Sequence, residues 1–176
     1  MTPVTFDESL AQCLLFRGLT DDERQQLRDL LQHESFSAGK TILQEGRSTQ
    51  ILWVVLRGHC QVVKETRNGG EQQLAVLEPG YVFGEMSFFQ PAPHSASVRA
   101  LDAVEVLRLD REKYDQLLHR GSTVAPKLAM NIIAVLADRL RTMDDWTCEL
   151  VEKAEAGKHR DEWRDFRSKL YSEWQF

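Results

Sequence analysis

The sequence has few cysteines, and they are badly placed for chemistry. Cys13, Cys60 and Cys148 form no CxxC pair and no Cys/His metal spacing, and an odd count suits no disulfide framework. Reduced thiols in a cytoplasmic protein are the expectation. No apolar run approaches the roughly 18 residues of a membrane-spanning helix. The opening MTPVTFDESLAQ has no basic stretch followed by an apolar one, so it does not read as a secretory signal. No membrane association is expected. Positive charge is also short: 22 Lys and Arg face 27 Asp and Glu, for a formal net charge of −5. A whole-protein basic footprint for nucleic acid is therefore lacking, and no block of like charges stands in for one. GxSxG, HExxH, Walker A and GxGxxG patterns are all absent. His33, His59, His94, His119 and His159 show no metal-ligand spacing. Neither an enzyme, nor a metal centre, nor a required cofactor is expected.

What the chain does have is patterning. Its 176 residues, 42% of them hydrophobic, can bury the core of one compact domain with an added element. Leu10, Leu14 and Leu15 fall on one helical face. Thr20-Asp-Asp-Glu23 is a capping-box pattern, and the helix it opens carries Leu27, Leu30 and Leu31 and stops near His33. His33 and His119, near expected helix C-termini, read as caps compatible with the helix dipole. From Glu34 to about Leu109, short β-rich runs alternate with turn signals. Strands are expected at 41–44, 51–56, 59–65, 71–77, 81–83, 96–100 and 103–109. That spacing points to a small sandwich or barrel-like roll, with Asn68-Gly69 at a hairpin tip because both residues tolerate positive φ.

Helix returns at Arg111–His119, and Pro126 is well placed to start a longer one reaching about 155. Leu128, Ile132 and Val135 make one apolar stripe on it. Ala129, Ile133, Leu136, Leu140, Met143 and Leu150 make a second, which has the steps of four and three of a heptad seam once Thr147 is counted. Either the second stripe meets another copy of the chain, or both are buried within one chain as a single wide face. The length of the seam favours a homodimer. After Gly157, Trp163, Phe166, Leu170 and Trp174 recur at helical spacing. The organisation read from these signals is N-terminal helices at 1–33, a β-roll at 34–122, a long dimerisation helix at 123–156 and an aromatic tail helix at 157–176.

Residues 83–100, FGEMSFFQPAPHSASVRA, read as a site rather than a core strand. Gly84-Glu85-Met86 follows a strand and opens an apolar helical turn. The N-terminus of such a turn offers unpaired N–H groups to an anion. Glu85 can accept hydrogen bonds from sugar hydroxyls, and the small Ser95 and Ala96 let a phosphate approach the backbone. Together these fit a ribose phosphate.

With those residues in view, the chain resembles the cyclic nucleotide-binding domain family of cyclic-AMP receptor regulators and protein kinase regulatory subunits. The matching pieces are Phe16-x-x-Leu19, Gly39-Lys-Thr-Ile-Leu-Gln-Glu-Gly46, Leu56-x-Gly58, Leu77-x-Pro-Gly80-x-x-Phe83-Gly84-Glu85 and Ser95-Ala96-x-Val98-x-Ala100. The resemblance covers about residues 14–150. It implies an α+β, mainly β fold: an eight-stranded, jelly-roll-like β-roll flanked by N-terminal helices and a long C-terminal dimerisation helix. It implies a ligand such as cyclic AMP or cyclic GMP in a phosphate-binding cassette at 83–96. Glu85 would hold the ribose 2′-hydroxyl, supported by the Gly84 backbone, and Ser95 and the Ala96 N–H would meet the cyclic phosphate. Met86, and after it Phe83, are expected as further ligand-binding residues, together with His94.

Three departures qualify the implication. The family places an arginine directly before the Ser-Ala pair, and here that position is His94. An imidazole has a shorter reach and a pKa near 6.5, so a phosphate grip by His94 would be tighter at pH 6 than at pH 8. Where bacterial receptors contact adenine with a Thr-Ser pair, an ungapped count gives Met143-Asp144, with Thr142 just before. Only about 26 residues follow Leu150, too few for a helix-turn-helix, so direct DNA binding is not expected. Two functions follow. One is a stand-alone dimeric sensor that binds a cyclic nucleotide and signals to an effector protein of unknown identity. The other is a nucleotide-free dimeric interaction module, in which the loss of the arginine has emptied the site.

Overall fold

The computed structural model describes residues 13–153, and their side chains as far as Glu149. The expected tail helix, Leu10 and the side chain of Leu150 lie outside the described residues. The chain divides into two units, Met1–Ile132 and Ile133–Phe176.

In the first unit, a 3-10 turn at Leu14–Phe16 precedes helix α1, Asp21–Arg28. The capping box at its start is complete: the Glu23 N–H donates to Thr20 Oγ1 at 3.3 Å, and the Thr20 N–H donates to Glu23 Oε2 at 2.8 Å. The eight strands are β1 Gln32–Phe36, β2 Thr41–Leu43, β3 Ile51–Arg57, β4 Cys60–Glu65, β5 Glu71–Leu77, β6 Val82–Phe83, β7 Ser97–Ala100 and β8 Val104–Asp110. Three further helices are α2 Glu85–Phe89, α3 Arg111–His119 and α4 Val124–Lys153. The strands form two antiparallel sheets of four, ordered β1-β8-β3-β6 and β2-β7-β4-β5.

One core cluster joins both sheets, with Leu43, Trp53, Val55, Cys60, Leu77, Phe83, Val98, Ala100, Val104 and Val106. Trp53 stacks on Phe83 at 6.0 Å between ring centroids and meets Phe36 edge-on at 6.2 Å. Strand β3 is buried on both faces from Leu52 to Leu56, and α2 packs against it. That is why its sequence, ILWVVLR, runs apolar without alternation.

Two local expectations differ from the structure. The helix expected to run to His33 ends at Arg28, and His33 lies in β1, where its Nε2 pairs with Glu105 Oε2 at 3.1 Å. The chain turns at Leu30 and Leu31, whose N–H groups close back on Leu27 and Arg28. At the hairpin tip, Gly69 alone takes positive φ (78°) and Asn68 does not. The loop is a five-residue connection, with Gly69 N–H bonded to Thr66 O at 3.0 Å and Thr66 N–H to Gly70 O at 2.7 Å.

Helix α4 begins two residues before Pro126, which falls in the first turn, where a missing N–H breaks no helical bond. Its opening turns are tied to the N-terminal segment. Glu23 accepts from Lys127 Nζ at 2.7 Å and from Thr123 Oγ1 at 2.6 Å, and these bonds hold its pKa down at about 2. Asn131 Nδ2 donates to Leu15 O and Arg17 O. Leu128 and Ile132 are buried. In the second unit the other stripe is open: Ile133 is 55% exposed, Leu140 41% and Met143 57%, with Leu136 half-buried.

Candidate functional site

The site starts where β6 ends. Gly84 has φ 80° and ψ 0°, a left-handed conformation that turns the chain from strand into α2. A Cβ there would lie 2.5 Å from the Ile51 carbonyl oxygen, so only glycine fits. The turn carries Glu85 inward, leaving it 5% exposed on the first residue of α2. The other end of α2 is held by Arg111, which donates to Phe88 O at 2.8 Å beneath a cluster of Phe88, Phe89 and Tyr114 rings. Gln50 Nε2 also donates to Phe88 O.

Pro91 and Pro93 then lead to His94, which is buried at 5% exposure. Its backbone joins the turn after β2, with His94 N–H on Arg47 O at 2.8 Å and Gly46 N–H on His94 O at 3.0 Å. Nδ1 pairs with Ser87 Oγ and Nε2 with Thr49 Oγ1, each at 2.7 Å. A neutral imidazole has one donor and one acceptor nitrogen, and a hydroxyl answers either. Burial lowers the His94 pKa, and no carboxylate faces the ring in these contacts to offset it.

Ser95 is exposed and Ala96 half-buried, just before β7. The Ser95 carbonyl accepts from Lys64 Nζ, which also donates to Glu45 Oε1 at 3.4 Å. Glu45 is fixed in turn, its Oε2 accepting from Glu65 N–H at 3.0 Å and its own N–H donating to Ser97 Oγ at 2.9 Å.

Of the residues expected at the site, the structure therefore links Gly84, Glu85, His94, Ser95 and Ala96 through α2 and the arm into β7. Phe83 points into the core against Trp53. Met86 is 60% exposed. Thr142 and Asp144 lie on α4 in the second unit, where Thr142 Oγ1 donates to Asp138 O. Three contributors escaped the sequence reading: Ser87, Thr49 and Lys64. Ser87 sits three residues into an apolar turn and Thr49 in a polar loop, so neither carries a pattern. Lys64 reads as the solvated end of a strand. Among the described residues, no group of three or more His, Cys, Asp or Glu gathers as a metal site.

Comparison with known proteins decides the family. The model of the cyclic nucleotide-binding domain matches residues 33–120. The cyclic AMP receptor protein of Thermus thermophilus is 37% identical over 130 residues, 74% of this chain and 58% of that protein. The chain belongs to the cyclic nucleotide-binding domain family. The cAMP-dependent protein kinase regulatory subunit of Debaryomyces hansenii is 31% identical over 113 residues, 64% of this chain and 24% of that protein. A crystal structure of a cyclic nucleotide-binding domain from Methylobacillus flagellatus superposes with a TM-score of 0.73 at 26% identity, covering 86% of this chain and 83% of that one. The chain spans less than two thirds of the length of the curated relatives it matches. The 83–96 segment, expected from the sequence to be a phosphate-binding cassette, lies within the matched residues. No described helix is long and apolar enough to cross a membrane.

Proposed function

We propose that this chain is a dimeric sensor that binds cyclic AMP or cyclic GMP in the 83–96 cassette and signals to an effector protein. The observation that carries the reading is the Gly84–Glu85 turn. A left-handed glycine that no other residue can replace delivers a buried carboxylate to the start of α2, where it can accept from ribose hydroxyls. Ser95 and Ala96 supply small residues on the phosphate side. In this reading His94 positions and does not grip: its ring braces α2 through Ser87 and the β2–β3 loop through Thr49. The relatives named for cyclic AMP support the choice of ligand. The open stripe of Ile133, Leu140 and Met143, with the half-buried Leu136 between them, supports pairing with a second copy.

A second reading, a nucleotide-free interaction module, is favoured by one observation. The position that resembles the family's arginine holds a buried imidazole with a lowered pKa. Losing a charge-assisted bidentate contact costs about 2–3 kcal/mol, or about a hundredfold in affinity. A thermal-shift series with cyclic AMP and cyclic GMP separates the two. A rise in transition temperature that grows with nucleotide concentration supports the sensor. A flat response to both supports the module.

A further inference from the structure

We infer that Lys64 supplies the positive charge for the ligand's phosphate, from β4 instead of from position 94; this rests on the sensor reading above. A cyclic nucleotide is a phosphodiester anion, and both ring nitrogens of the buried His94 are already engaged, by the Ser87 and Thr49 hydroxyls.

The strand pairing shows where Lys64 points. β4 runs in regular register against β7: Cys60 faces Ala100, Gln61 faces Arg99, Val62 faces Val98 and Val63 faces Ser97. The irregularity against β5, where Val62 faces Ala75 and Val63 faces Gln73, puts its extra residue, Leu74, on β5 and leaves β4 unbroken. Alternate residues of a strand share a face. Cys60 is in the core cluster and Val62 packs against it, with Val98 and Ala100 opposite. Lys64 is the next residue on that inner face, and one more step of the register sets it opposite Ala96.

An inward position on a roll this small calls for an apolar side chain, yet a lysine occupies it. Its side chain is 47% exposed, so the inner face opens there. The Nζ is not extended into bulk solvent but turned onto the Ser95 carbonyl, at the Ser95-Ala96 pair where the phosphate would arrive. Glu45 Oε1, 3.4 Å away, is the acidic partner of Lys64. Glu45 is anchored by the Glu65 N–H and through its own N–H to Ser97, so it stays in place as the flexible lysine turns to a phosphate. Lysine acts as a point charge on a long stem, suited to a contact made from across the site. Arg111, which also touches the cassette backbone, is committed to the far end of α2 and to Asp115.

The test is calorimetric titration of the full chain and of Lys64→Gln and Lys64→Arg with cyclic AMP and cyclic GMP, alongside thermal unfolding without ligand. The expected result is a loss of at least about tenfold in affinity for Lys64→Gln, most of it recovered in Lys64→Arg, with both variants unfolding as the native chain does. Native binding that is unchanged in Lys64→Gln overturns this assignment alone. No binding by the native chain overturns the sensor reading and this assignment with it.

Discussion

The Ser87 hydroxyl and His94 Nδ1 lie 2.7 Å apart in a buried contact that ties helix α2 to the arm entering β7. The two residues bracket the Pro91–Pro93 segment, so the contact closes the cassette on itself. Ser87→Ala leaves a buried ring nitrogen without its partner, which costs about 1–3 kcal/mol. Urea denaturation measures this as a lower midpoint. A midpoint equal to the native one would show that the contact closes nothing.

The same ring sets a pH dependence. Burial lowers the His94 pKa below its ordinary 6.5. As pH falls past 6.5 the unfolded chain takes up a proton that the folded chain resists, so stability is full above that value and declines as pH drops toward the folded pKa. His94→Gln should flatten this part of the profile in urea midpoints taken between pH 7 and pH 5. Parallel profiles for the two proteins would be the contrary result.

Gly84→Ala tests the turn into α2. The left-handed backbone costs an ordinary residue about 1–2 kcal/mol, and the contact of a new Cβ with Ile51 O adds to it. A lower denaturation midpoint and loss of nucleotide response are expected together. A stable variant that still binds would mean that the turn adapts.

Much of this fold can be read from local sequence. Thr20 and Glu23 sit at capping-box spacing, and the box forms. Seven strands lie where alternation and turn residues put them. Strand β1 was hidden because Leu27, Leu30 and Leu31 have helical spacing, while the partner of its QHESF sequence is β8, some 72 residues on. Arg108 joins the two strands by bonding Glu34, and pattern alone cannot show such a non-local pairing. At the site, Gly84 and Glu85 were legible as types in sequence. The surroundings of His94 were not, since a lone histidine beside prolines reads the same whether it faces a ligand or two hydroxyls. Lys64 was missed for a related reason. Its inward direction follows from the register with β7, a property of the pairing.

The open stripe on α4 gives the assembly prediction. Leu140→Glu with Met143→Glu places charge where two apolar seams would meet. Analytical ultracentrifugation at tens of micromolar should give a dimer for the native chain and a monomer for the double variant. A native monomer at that concentration would remove the dimer from the proposal.

The central claim is that the cassette holds a cyclic nucleotide with His94 bracing it and not charging it. Calorimetric titration of the native chain with cyclic AMP and cyclic GMP, at pH 6 and at pH 8, tests it most directly. The account predicts saturable binding of at least one nucleotide, with affinity nearly equal at the two pH values. No heat from either nucleotide at both pH values would contradict it.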